Sequence, residues 1–183
     1  MAESKPTRRP LTSRNTKWAA TLAGWLAKRR IQPNAISVMS LVFASSAGLA
    51  LIGAGSVSGM WRGLLFLLAA GLIQLRLLCN LLDGMVAVEG GFKTKSGEIY
   101  NELPDRIADV MILAGAGYAQ PSSPWLQTLG WMAAALAVIT AYVRALGASV
   151  GTQQYFLGPM AKPHRMATLT VACVLMAALG FVR

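Results

Sequence analysis

The chain has 183 residues, of which 55% are hydrophobic and 13% charged, and its 17 Lys and Arg residues against seven Asp and Glu give a net charge of +10. With a mean hydropathy of +0.50, this composition excludes an ordinary soluble domain and makes the bilayer the better solvent. The positive balance does not point to nucleic acid, because the basic residues are dispersed around apolar segments and no nucleic-acid-binding motif accompanies them.

In chain order, residues 1–16 are polar and rich in Pro and Arg, and are expected to form a disordered basic N-terminus. Residues 17–30 read as a juxtamembrane amphipathic helix. Trp18, Leu22, Trp25 and Leu26 recur at helical spacing, with Lys17, Lys28 and Arg29 elsewhere on the wheel, as in a helix lying in the membrane interface. A packed or partner-binding helix is the plainer alternative. The same stretch superficially looks like a signal peptide, but Lys28, Arg29 and Arg30 stand where a small-residue cleavage site belongs. Pro33 and Asn34 form a turn, with Asn34 as the N-cap of the first span.

Crossing a hydrocarbon core of roughly 30 Å takes about 20 apolar residues. Ala35–Ala54, Gly63–Leu82 and Pro124–Val143 qualify. Two shorter candidates are Pro104–Gln120, with Asp105, Arg106 and Asp109 at its start, and Met166–Val182. The expected fold is therefore an all-α, polytopic membrane helical bundle of about five spans over residues 31–183. Eight Lys and Arg residues precede Ile31, and Lys93, Lys95, Arg144, Lys162 and Arg165 sit in or beside the loops after the second and fourth spans, whereas Arg62 and Arg183 flank the opposite ends. The positive-inside rule puts the N-terminus in the cytoplasm, with the site described below on the same side, and juxtamembrane cations favour anionic headgroups. Ser45, Ser46, Gly48, Gly115, Gly117, Ala133 and Ala137 are small enough to let helices approach closely. Cys79 and Cys173 lie inside apolar spans without metal-ligand spacing and read as packing residues.

Six of the seven acidic residues fall between Asp83 and Asp109. Steps of four and three put Arg76, Asn80 and Asp83 on one face of the second span, and Gly97, Asn101, Asp105 and Asp109 recur every four residues on a second face. Ionisable groups inside a membrane protein face the bundle interior or a wet cavity. Carboxylate and amide oxygens without His or Cys suit Mg2+, Mn2+ or Ca2+ rather than zinc, and Gly84 and Gly97 leave room for a phosphate-bearing ligand. The plainer reading is a solvated helix end with local pairs such as Glu102 with Arg106.

The segment resembles the signature of the CDP-alcohol phosphotransferase family, Asp-x2-Asp-Gly-x2-Ala-Arg-x8-Gly-x3-Asp-x3-Asp. Asn80, Asp83, Gly84, Ala87, Val88, Gly97, Asn101 and Asp105 align with it without gaps, and five of the eight match. The stretch from Ile31 to Ser37 is similar to the family's approach to its first span. The stretches around Arg144 and from Gly158 to Arg165 resemble the phosphatidylinositol-phosphate synthase branch, in which basic residues hold the acceptor's phosphate. Similarity covers roughly Ile31 to Thr170.

The resemblance implies transfer of a substituted phosphate from a CDP-linked donor, such as CDP-diacylglycerol, to an alcohol with release of CMP. It implies Asp105 as general base, Asn80, Asp83, Asn101 and Asp105 around divalent metal, and Arg144, Lys162 and Arg165 on the acceptor's phosphate. Asp83, Gly84, Ala87 and Gly97 would face the nucleotide and its phosphates. Arg76, one turn before Asn80, would touch phosphate beside them or pair with a carboxylate; snorkelling is its plainer role, and flanking charge is that of the other basic residues. His164 has no expected catalytic role.

Three departures qualify the implication. Asn80 and Asn101 replace two aspartates and Val88 replaces the arginine, so the quartet's formal charge falls from −4 to −2. One Mg2+ or Mn2+ ion is expected rather than two, and Glu98, Glu102 or Asp109 are candidates to restore charge. The family has six spans against the five counted here, so the sixth is either absent or lost in a shortened form. Expected partners are the CDP-linked lipid, a small alcohol, the bilayer and a second copy in a homodimer, in a bacterial inner membrane. The rival readings are a member that kept the fold without turnover, as a structural or regulatory membrane protein, and a cation or small-solute transporter. The transporter fits poorly because no Asp or Glu follows Pro121.

Overall fold

The computed structural model describes residues 16–91, 97–152 and 162–182, with the side chains of 97, 98, 100, 101, 162, 163, 181 and 182 outside the description. The N-terminus expected to be disordered lies, up to residue 15, outside the described residues, as do Lys93 and Lys95. The chain forms α1 (Lys17–Lys28), α2 (Pro33–Ser56), α3 (Gly59–Glu89), α4 (Gly97–Tyr118), α5 (Pro124–Ser149) and α6 (Lys162–Val182), with no strand among the described residues. The expected all-α bundle is therefore present, with one helix for each of the five expected spans and α1 before them.

α2, α3 and α5 are each long and apolar enough to cross a membrane, and α6 carries the shorter apolar stretch His164–Gly180. At 31 residues, α3 is the longest helix, roughly 46 Å at 1.5 Å per residue. It therefore outruns a hydrocarbon core of roughly 30 Å by several turns, and its last turns carry Asn80, Asp83 and Gly84. α4 begins at Gly97 rather than at Pro104, so the proline lies inside the helix. Its ring removes one backbone donor, but the helix continues through it and keeps Gly97, Asn101, Asp105 and Asp109 in one register.

The helix ends correct one expectation. α2 starts at Pro33, with Gln32 rather than Asn34 as N-cap and no side-chain cap hydrogen bond. Proline's fixed φ and missing N–H suit it to the first helical position, which moves Asn34 into the first turn.

α2 packs on α3 and α4, α3 also on α6 and α1, and α4 on α5. Small residues set these approaches. A Cβ on Gly115 would lie 2.7 Å from the Gly48 carbonyl oxygen, and one on Gly117 would lie 2.6 Å from the Leu126 carbonyl oxygen. Backbone therefore meets backbone at the α2–α4 and α4–α5 crossings, as the small-residue pattern anticipates. The main apolar cluster gathers Ala47, Leu51, Phe66, Ile73, Ile112, Met166 and Cys173 from α2, α3, α4 and α6. Both cysteines are free and buried, Cys79 in a second cluster beneath α1.

α1 seats itself differently from the tryptophan stripe read in its sequence. Ala19 and Ala23 are completely buried, in the cluster with Cys79, Leu82 and Val86, while Trp18 and Trp25 are half exposed. Alanine permits close contact with α3. The tryptophans face outward, and Arg29 stacks on the Trp25 ring at 5.1 Å from its centroid.

Candidate functional site

The two polar faces read from the sequence meet where the C-terminal half of α3 crosses the N-terminal half of α4. Asn80 Nδ2 donates to Asp105 Oδ1 at 2.9 Å. One turn earlier, Arg76 Nη2 donates to Asp109 Oδ1 at 2.7 Å and to the Asp105 carbonyl oxygen at 3.4 Å. The same nitrogen lies 3.6 Å from Asp105 Oδ1. Helical spacing thus aligns Arg76 and Asn80 on α3 with Asp109 and Asp105 on α4, in antiparallel order.

Two further helices close the arrangement. From α2, Ser37 Oγ donates to Asp83 Oδ2 at 2.9 Å, and Ser40 Oγ donates to Asn80 Oδ1 at 2.8 Å. From α6, Arg165 Nη2 donates to Asp109 Oδ2 at 2.8 Å. The two serines are site residues that the sequence reading missed. Their one trace in the sequence is a pair of hydroxyls three apart on one face near the start of an apolar helix, which the structure buries.

Burial separates the three aspartates. Asp109 and Arg76 are entirely out of solvent, so each charge depends on its partner, because an unpaired buried ion is strongly disfavoured. Asp83 is 4% exposed. The Asp105 side chain keeps 15% exposure, which makes it the most accessible of the three. Snorkelling is overturned for Arg76: its guanidinium pairs with carboxylate, and its Nε and Nη1 are buried without a hydrogen-bond partner.

The other candidates are more scattered. Gly84 and Ala87 sit half-buried on the last turns of α3, whereas Val88, in the arginine position of the motif, is exposed. Gly97 opens α4. The side chains of Asn101, Glu98 and Lys162 lie outside the described residues. Arg144 is half-buried near the end of α5. Glu102 pairs with Arg106 one turn away, as the plainer reading of the helix end expected, and Asp109 is engaged by two arginines. His164 is exposed.

The donor chemistry fits a hard divalent cation. Asp83 and Asp105 bring carboxylate oxygens, with the Asn80 amide beside them engaged by Ser40 and Asp105, while the neighbouring thiol of Cys79 packs into the α1 cluster instead. No ready-made cage of three or more acidic, His or Cys side chains is formed among the described residues.

The family description CDP-alcohol phosphatidyltransferase matches residues 30–182. The chain belongs to that family. Members are transferases that generally use divalent metals. Among curated proteins, the inner membrane protein YnbA of Escherichia coli strain K12 is 28% identical over 141 residues, 77% of this chain. The chain spans 66% of that relative's length. Among solved structures, Mycobacterium tuberculosis phosphatidylinositol phosphate synthase (PgsA1) with CDP-DAG bound matches with a TM-score of 0.69 at 17% identity. That match covers 91% of this chain and 89% of the synthase chain, and it shows a shared fold. The long apolar helices and the family place the chain among integral membrane proteins.

Proposed function

We propose that this chain transfers a phosphatidyl group from CDP-diacylglycerol to a small alcohol and releases CMP, on the cytoplasmic side of a bacterial inner membrane. The observation that carries this reading is the state of Asp105. It is the most accessible of the three aspartates at the helix crossing, and it is fixed by Asn80 from one side with Arg76 close by.

In the proposed reaction, Asp105 takes the proton of the acceptor hydroxyl as that oxygen attacks the phosphorus bearing the diacylglycerol. A new P–O bond forms to the alcohol, the phosphoanhydride P–O bond to CMP breaks, and the electron pair leaves with CMP. The four motif positions Asn80, Asp83, Asn101 and Asp105 frame the cation's site, and the carboxylates of Asp83 and Asp105 would supply its charge. With two carboxylates rather than four, one Mg2+ or Mn2+ ion is proposed, which when bound would neutralise diphosphate charge. Gly84, Ala87 and Gly97 leave space along the helices for the nucleotide. Arg76 brings positive charge beside Asp105. Arg144, Lys162 and Arg165 are proposed on the acceptor side, with Arg165 oriented by Asp109. The active assembly is proposed to be a homodimer.

A second reading, a structural or regulatory membrane protein that kept the fold without turnover, is favoured by the exposed Val88 in the arginine position. CMP release from labelled CDP-diacylglycerol by purified protein in lipid, with a divalent ion and a panel of polar alcohols, separates the two.

A further inference from the structure

Asn80 occupies the first aspartate position of the motif, and both ends of its amide are engaged. Its Oδ1 accepts from Ser40 at 2.8 Å and its Nδ2 donates to Asp105 Oδ1 at 2.9 Å. The direction of the amide follows from chemistry: a carboxylate only accepts, so the nitrogen end faces Asp105 and the oxygen end takes the serine proton. Ser40 is 2% exposed, so this anchor is sealed against α2.

We propose that Asn80 is a positioning residue rather than a cation ligand. With Ser40 it forms a hydrogen-bonded bridge from α2 through α3 to α4, which holds the Asp105 carboxylate in place. An aspartate at position 80 would set two carboxylates within hydrogen-bonding distance of each other. Two like charges that close do not both stay ionised without a proton or a cation between them. The amide removes that requirement, because an N–H donor now faces the carboxylate. The substitution thus exchanges one cation's worth of charge compensation for a hydrogen bond from an uncharged donor, and Ser40 keeps the amide from turning over.

The proposal rests on the reading of Asp105 as the reacting carboxylate, but its test does not depend on turnover alone. Bound Mn2+ would be counted by electron paramagnetic resonance on the full chain in lipid nanodiscs, for the wild type, Asn80→Asp, Asn80→Ala and Ser40→Ala. The bridge predicts that Asn80→Asp binds one more Mn2+ than the wild type, and that Asn80→Ala and Ser40→Ala bind the same number as the wild type. Ser40→Ala should also lower kcat roughly tenfold through misplacement of Asp105, with KM for CDP-diacylglycerol unchanged. Loss of Mn2+ in Asn80→Ala or Ser40→Ala, or no gain in a folded Asn80→Asp, overturns the proposal. Should Asn80→Asp fail to fold, the Mn2+ count of Asn80→Ala decides. A wild type without Mn2+ and an Asn80→Asp variant with one would refute the single-cation reading while upholding the bridge.

Discussion

Arg76 Nη2 on α3 lies 2.7 Å from Asp109 Oδ1 on α4, with neither side chain exposed to solvent. Arg165 from α6 takes the other Asp109 oxygen at 2.8 Å, so one carboxylate ties three helices together directly beneath Asp105. Removing it takes from Arg76 and Arg165 the carboxylate they share, a loss on the order of 3–5 kcal/mol for breaking a buried pair. Asp109→Ala should therefore lower the thermal midpoint of the detergent-solubilised protein strongly, as followed by the loss of its monodisperse size-exclusion peak. A midpoint equal to that of the wild type would show that the triad does not hold the helices.

The α2–α4 crossing should be equally intolerant of volume. A Cβ on Gly115 would lie 2.7 Å from the Gly48 carbonyl oxygen and 2.8 Å from its Cα, and backbone cannot rotate aside as a side chain can. Gly115→Ala is expected to destabilise by about 1–3 kcal/mol through overpacking. By pushing α4 from α2 it should also lower CMP release, since Ser37 and Ser40 reach the site from α2. Unchanged melting and unchanged turnover would mean that the crossing is softer than the geometry requires.

The spans and the acidic faces were legible because apolar length and three- and four-residue spacing are local properties. Each expected span became one helix, and Asn80 does meet Asp105. What spacing could not reveal was which polar groups consume one another. Asp109 looked like spare charge for a cation, yet it lies between Arg76 and Arg165, which are distant in sequence. Ser37 and Ser40 carry no charge and sit in a helix whose other residues are mostly apolar, so only the packing of α2 on α3 exposes their role. In α1 the tryptophans dominate the hydropathy pattern, but the alanines make the close contact with α3. The Asn34 cap failed because proline at the first helical position sets where α2 begins.

Ser37 offers a finer probe of the same site. Its hydroxyl donates to Asp83 Oδ2 at 2.9 Å in a buried setting, a bond worth about 1 kcal/mol in net terms. Ser37→Ala should raise the divalent concentration needed for half-maximal activity about fivefold, with little change in the saturated rate. An unchanged metal titration would dissociate Asp83 from the cation.

Metal removal should be decisive and reversible. Exhaustive chelation is expected to stop CMP release, and Mg2+ or Mn2+ should restore it, because carboxylate and amide oxygens suit hard cations. Zn2+, which prefers imidazole and thiolate, should restore it poorly. Full activity in the chelated protein would remove the cation from the mechanism.

The most direct test of the central claim is CMP release from labelled CDP-diacylglycerol in nanodiscs, comparing the wild type with Asp105→Asn in the presence of Mg2+ and polar alcohols. Alcohol-dependent CMP release by the wild type is predicted, falling at least about 100-fold in a folded Asp105→Asn protein, as loss of a general base requires. Undiminished release in Asp105→Asn, or none from folded wild type with any alcohol tried, would contradict it.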